Sequence, residues 1–145
     1  MNIASLLATK GVEVITVRPE TTIREAVGLL AAHNIGALVV KGEGERPEGI
    51  VSERDVVRAL ARDEDVVSRP VSAIMTREVV IAAPADDLAA VATTMTERRI
   101  RHLPVMDQGR LVGIVSIGDV LKAQRDQYQG EVDTLQFQLL QSPAA

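Results

Sequence analysis

The 145-residue sequence has no cysteine and no tryptophan, and Tyr128 and Phe137 are its only aromatic residues. Without cysteine there is no disulfide, no thiolate nucleophile and no cysteine-ligated zinc. Nucleic-acid modules that stack bases need exposed aromatics, and this chain has almost none. Positive charge is short as well. Sixteen basic residues against twenty acidic ones give a net charge of −4, the wrong sign for a general DNA or RNA binder. Two histidines, His33 and His102, leave little from which to build a metal site. No apolar run approaches the ~18 residues of a membrane span. Residues 1–10 lack the basic and apolar segments of an export signal, so a cytoplasmic protein with no nucleic-acid or membrane partner is expected. What remains is ordinary globular material, 46% hydrophobic and 25% charged, with a core to be made of Val, Ile, Leu, Ala and Met. A chain of this length should bury roughly two-thirds of its unfolded surface.

The chain carries one pattern twice. Val14-Ile15-Thr16-Val17-Arg18-Pro19 returns 65 residues later as Val79-Val80-Ile81-Ala82-Ala83-Pro84. Each copy leads into helical spacing at i, i+3, i+4, i+7: Ile23, Ala26, Val27 and Leu30, then Leu88, Val91, Ala92 and Met95. Thr22 with Glu25 reads as a capping box for the first helix, and Asp86 as the N-cap of the second. Strand-like runs follow at Ile35-Gly36-Ala37-Leu38-Val39-Val40 and at Ile100-Arg101-His102-Leu103-Pro104-Val105. After a polar turn comes the closest match. Gly49-Ile50-Val51-Ser52-Glu53-Arg54-Asp55-Val56-Val57 and Gly113-Ile114-Val115-Ser116-Ile117-Gly118-Asp119-Val120-Leu121 agree at six of nine positions, each ahead of a second helix.

These readings give an α+β (mixed α/β) fold: two β-α-β-β-α repeats related by a pseudo-two-fold, then a C-terminal helical tail. The expected units are residues 5–65 and 71–127, with the tail at 128–145 and residues 63–72 as the linker. A repeat of this size buries its apolar face poorly alone, so the two should pack together. In the tail, Leu121, Tyr128, Val132, Leu135 and Leu139 form a weak heptad stripe, interrupted by Arg125 and weakened by Gly130. Either a helix lying on its own domain or a dimer contact would use it. Residues 142–145 are expected to be a frayed end.

The motif has two chemical readings. A strand ending at Ser52 and a helix starting directly after it present free N–H groups and partial positive charge to an anion. Asp55, one turn in, offers two acceptor oxygens that match the vicinal hydroxyls of a ribose, and Ser116 and Asp119 repeat the arrangement. Ser-x-x-Asp is equally a capping box that binds nothing, and duplication copies caps as readily as sites. The densest basic cluster, Arg98-Arg99-Ile100-Arg101-His102, divides in the same way. Arg98 and Arg99 suit a helix C-terminus, while Arg101 and His102 fall in the strand, where they could hold phosphate oxygens. Pro104 cannot donate to a ladder, so an edge or opening should lie beside that strand. Gly42-Glu43-Gly44 is an acidic turn that lacks the rest of a phosphate-binding loop. No acid–base pair, nucleophile or metal cluster stands out, so no catalytic residue is assigned and the chain reads as a non-enzyme.

The paired Gly-Ile-Val-Ser-x-x-Asp motifs within two β-α-β-β-α units resemble a tandem pair of CBS domains (cystathionine β-synthase domains, or Bateman module) of the stand-alone bacterial type. The likeness covers residues 5–127. It implies a regulatory sensor that binds an adenosine-containing ligand in two clefts and associates as a homodimer. The ligand would be AMP, ADP, ATP or NAD, with S-adenosylmethionine ranked below them. With no attached catalytic or transport domain, it would act on an unknown effector in trans. By position, Asp55 and Asp119 would hold the riboses, and Ser52 and Ser116 the ribose or phosphate. Lys10, Gly11, Ile35, Gly36 and Ala37 would complete the Asp119 cleft. Thr76, Val79, Ile100, Arg101 and His102 would complete the Asp55 cleft. Ile50, Arg54, Ile114, Ile117 and Gly118 of the motifs are the remaining nucleotide-binding candidates. The two clefts should be unequal, because the first strand-like run carries no basic residue where the second has Arg101 and His102. The alternative is a ligand-free protein–protein interaction module.

Overall fold

The computed structural model describes residues 1–141; the expected frayed end lies outside the described residues. Helix α1 (Ile3–Lys10) is followed by β1 (Thr16–Val17), α2 (Ile23–His33), β2 (Ala37–Val40), β3 (Gly49–Ser52) and α3 (Glu53–Arg62). Two short 3-10 helices, Glu64–Ser68 and Val71–Ala73, lead to α4 (Leu88–Arg98), β4 (His102–Asp107), β5 (Arg110–Ser116) and α5 (Ile117–Gln141). In the first repeat β1 runs parallel to β2, and β2 antiparallel to β3. In the second, β4 and β5 form an antiparallel pair. The mixed α/β repeat expected from the sequence is present, with α2–β2–β3–α3 matched by α4–β4–β5–α5.

Several local expectations are corrected. The first strand of the second repeat shrinks to one parallel bridge between Ala82 and Val105. Pro104 stands where β2 has Val39 and has no N–H with which to extend the ladder. Asp86 is not the N-cap of α4. Its carboxylate accepts the Ala83 N–H and closes the preceding turn, while Asp87 caps the helix through the Ala90 N–H at 3.1 Å. At α2 the Thr22 hydroxyl oxygen accepts the Glu25 N–H, one half of the expected capping box. Of the two residues expected in the strand, His102 is the first of β4 and Arg101 lies just ahead of it.

The segment read as a linker is part of the first core. Val66, Val71 and Met75 are buried together with Val17, Ile23, Leu30, Leu38, Val51 and Val56. The N-terminal helix makes the reciprocal crossing, since Ile3, Leu6 and Leu7 are buried in the second core with Leu88, Met95, Leu103, Val115 and Val120. Asn2 caps α1, accepting the Ser5 N–H. Each core is thus closed by apolar residues from the chain that precedes the other repeat. Each such side chain, fully buried, contributes about 1.5–3 kcal/mol. Two glycines allow the crossings. A β-carbon on Gly49 would lie 2.6 Å from the Met75 sulfur and 2.9 Å from the Thr76 carbonyl oxygen; one on Gly113 would lie 2.8 Å from Leu7.

Helix α5 is continuous through Gly130 and runs 25 residues, but only Val120 and Ala123 along it are buried. From Arg125 onward it is exposed apart from a half-buried Val132, so the outer part of the stripe does not lie on its own domain. Among the described residues, no helix is long and apolar enough to cross a membrane.

Candidate functional site

The two motifs fold alike. At α3 the Asp55 Oδ2 accepts the Ser52 N–H at 2.9 Å and the Ser52 hydroxyl at 3.1 Å, while Ser52 Oγ accepts the Asp55 N–H at 3.2 Å. At α5 the Asp119 Oδ2 accepts the Ser116 N–H at 2.9 Å, and Ser116 Oγ accepts the Asp119 N–H at 3.1 Å. Both are capping boxes, so the helix-capping role is real in each. Among the described residues no protein donor reaches Asp55 Oδ1. The Gly36 carbonyl accepts the N–H of Glu53 at the start of α3. The Arg101 carbonyl does the same for Ile117 at the start of α5.

What lies in front of the two carboxylates differs. Asp55 faces a cleft of about 900 Å³, within the range of small-molecule sites. Ile50, Ser52, Arg54 and Thr76 border it on one side, and Val79, Ile100, Arg101 and His102 on another. Gly36, Ser116, Ile117 and Gly118, which the sequence associates in part with the other motif, also line it. A β-carbon on Gly36 would sit 3.0 Å from Glu53 Oε1 and 3.2 Å from His102 Nε2, so the missing side chain leaves room for both. Apolar walls from Ile50, Val79 and Ile100 suit the face of a heterocycle. Lys10, Gly11, Ala37, Ile114 and Asp119 are not brought into this cleft.

The structure adds residues that sequence reasoning missed: Glu53, Val57, Arg58, Glu78, Val80 and Arg99. Arg58 follows Arg54 by one helical turn, a spacing that could have found it. Arg99, read from sequence as a solvated helix end, is the left-handed C-cap of α4 at φ 54°, and this places it at the rim. Four arginines therefore meet three carboxylates around the cleft, so its border is net positive by one in a protein whose total is −4. Among the described residues none of the four has a carboxylate within ion-pair distance. His102 is half-buried, and burial pushes its imidazole below the ordinary range. Arg101 and Lys10 push the same way against the opposite pull of Asp119 and Glu53. Its neutral form is favoured there.

Asp119 has a charged partner. Lys10 Nζ lies 2.6 Å from Asp119 Oδ2 and also donates to the Ile114 carbonyl. Burial pushes the Asp119 carboxyl up. The Lys10 and Ser116 hydrogen bonds, with the Lys10 charge, outweigh that and hold it below its ordinary value. Among the described residues no cluster of three or more His, Asp or Glu could hold a metal ion.

A family model for the CBS domain matches the chain twice, at residues 5–62 and 71–126. A CBS domain-containing protein of Bacillus subtilis is 38% identical over 118 residues, covering 81% of this chain and 83% of that one. A CBS-domain protein of Agrobacterium tumefaciens superposes with a TM-score of 0.82 at 42% identity, over 86% of this chain and 99% of its own. A CBS domain protein of Pyrobaculum aerophilum, solved in complex with AMP, gives 0.74 at 30% identity over 82% and 89% of the two chains. A CBS domain pair solved with 5′-methylthioadenosine and S-adenosyl-L-methionine gives 0.78 at 29% identity over 88% and 98%.

Proposed function

The chain belongs to the CBS-domain family, and from that premise we propose that it is an adenosine-nucleotide-binding regulatory module acting as a homodimer on an effector in trans. The carrying observation is the Asp55 cleft: a carboxylate oxygen without a protein donor, apolar walls and four arginines without carboxylate partners around one cavity. In this reading the ribose diol donates to Asp55, the adenine lies between Ile50, Val79 and Ile100, and phosphate oxygens accept from Arg101 and its neighbours. The four arginines favour AMP, ADP, ATP or NAD over S-adenosylmethionine, whose sulfonium carries charge of the wrong sign. Relatives solved with AMP and with S-adenosylmethionine support adenosine as the shared element. The module is regulatory rather than catalytic, works in the cytoplasm and comprises units 5–65 and 71–127 with a tail at 128–145.

Mass spectrometry of the denatured purified protein, followed by calorimetric titration with AMP, tests the ligand. An adenosine compound that co-purifies, or micromolar binding, is expected; neither would appear if the clefts were empty. Exposed apolar residues beside the motifs, Val57 and Leu60 on α3 and Leu121 on α5, support the dimer, as does the outer stripe of α5. The helix from Arg125 to Gln141, exposed except at Val132, is marginal alone in water. Light scattering at micromolar concentration should give twice the chain mass, and saturating AMP should shift the dimer dissociation constant. The second reading, a ligand-free interaction module, is favoured by the exposed Leu135, Phe137, Leu139 and Leu140, and it would leave AMP without effect.

A further inference from the structure

Both motifs open onto one cavity. Ser52, Glu53 and Asp55 line it from the first, and Ser116, Ile117 and Gly118 from the second. His102 lines it as well, and charged groups from both halves bear on its ring. Glu53 at the start of α3 and Asp119 on α5 favour the imidazolium, while Arg101 beside it and Lys10 at the end of α1 oppose it. The 65-residue offset that carries Val14 onto Val79 carries Ala37 onto His102, so only one repeat brings an imidazole. The ring enters the space left by the missing side chain of Gly36, where a β-carbon would lie 3.2 Å from His102 Nε2 and 3.0 Å from Glu53 Oε1. Among the described residues neither ring nitrogen has a protein hydrogen bond, and neither is sealed from solvent. The other cations of the wall, Arg54, Arg58, Arg99 and Arg101, carry permanent charge. His102 is the cationic group there whose charge changes near neutral pH.

We infer that His102 takes up a proton as the ligand's phosphate enters the cavity, so that nucleotide affinity follows pH as well as nucleotide concentration. This inference rests on the adenosine-binding reading of the Asp55 cleft and adds a regulator to it. The proton comes from the buffer and ends on a ring nitrogen, and no covalent bond forms. In the open cavity burial, Arg101 and Lys10 keep the ring neutral. A phosphate supplies both negative charge and an acceptor for a second ring N–H, and so reverses that balance. By linkage, the factor by which phosphate favours the imidazolium equals the factor by which the imidazolium favours phosphate. A charge-assisted hydrogen bond makes it about tenfold. AMP therefore binds more tightly as pH falls through the neutral range. Adenosine, which brings no phosphate, does not.

Calorimetric titration in two buffers of different ionisation enthalpy counts the protons taken up. At pH 7 the unaltered protein should take up more protons per AMP than His102→Gln, because the titration of the phosphate itself is common to both. Between pH 8 and pH 6 its AMP affinity should gain about tenfold more than that of the variant. Adenosine should bind both proteins equally and without proton uptake, which shows that the cleft of His102→Gln is intact. Equal proton counts for AMP in the two proteins, or equal uptake with adenosine and AMP, would overturn the inference and leave the adenosine-binding reading standing. No binding of either ligand by the unaltered protein would remove both.

Discussion

In the first repeat the motif carboxylate faces an open cleft ringed by arginines; in the second the same carboxylate, on the same capping box, is held by Lys10. Local geometry is nearly identical, with Ser52 and Ser116 N–H groups each 2.9 Å from the aspartate oxygen. The difference comes from elsewhere in the chain. Each motif is completed by a segment that crosses from in front of the other repeat, and the two segments bring different residues. The two motifs are locally alike, and the crossing segments give their carboxylates different neighbours.

The largest expected effect separates the two aspartates. Asp55→Ala removes a charged acceptor and should lower AMP affinity about 10- to 100-fold. Asp119→Ala should change it by less than about twofold, although each loses a cap worth about 1 kcal/mol. Equal losses in calorimetry would erase the distinction between the halves. The crossings themselves are compared by Gly49→Ala and Gly113→Ala. At Gly49 the new carbon meets the Thr76 backbone, which cannot move freely, so a cost of about 1–3 kcal/mol in urea unfolding is expected. At Gly113 it meets only the end of Leu7, and the cost should be the smaller of the two.

Arg101→Ala sharpens the chemistry of the open half. It should weaken AMP roughly 10-fold and leave adenosine unchanged, because only the phosphate uses a guanidinium. Equal weakening of both would make Arg101 a wall of the cleft instead of a phosphate ligand. The smallest effect is in pH. His102 is held below its ordinary value of 6.5, so the unfolded chain binds the proton first as pH falls. Its contribution to stability is complete above pH 6.5 and declines as pH falls toward the folded value. Asp119 is held below 3.8, so its contribution with Lys10 is complete above that pH and lost only on further acidification. Melting curves of His102→Gln should lose the first decline and keep the second; Lys10→Met should do the reverse.

Much of this was legible from sequence because it is local. The duplicated motif, the caps at Thr22 and Ser52 and the strand-to-helix junctions follow from spacing within an element. The resemblance, too, places Lys10 beside Asp119, where the structure has it. The contact itself was not visible, for Lys10 reaches Ile114 across 104 residues, and no periodicity encodes that. Residues 63–72 looked like a linker because Asp, Glu, Arg and Pro punctuate them, yet Val66 and Val71 are buried in the first core. Asp86 lost the cap to its neighbour because either aspartate could have served and only the preceding turn decides. Arg99 reached the rim of the cleft through a left-handed backbone angle that composition does not announce.

The unequal halves are tested most directly by a crystal structure of the unaltered protein grown with AMP. The ribose should lie on Asp55 and the phosphate among the arginines, with Lys10 still on Asp119. A ribose on Asp119 with Lys10 displaced, or with Lys10 bound to the phosphate, would contradict it.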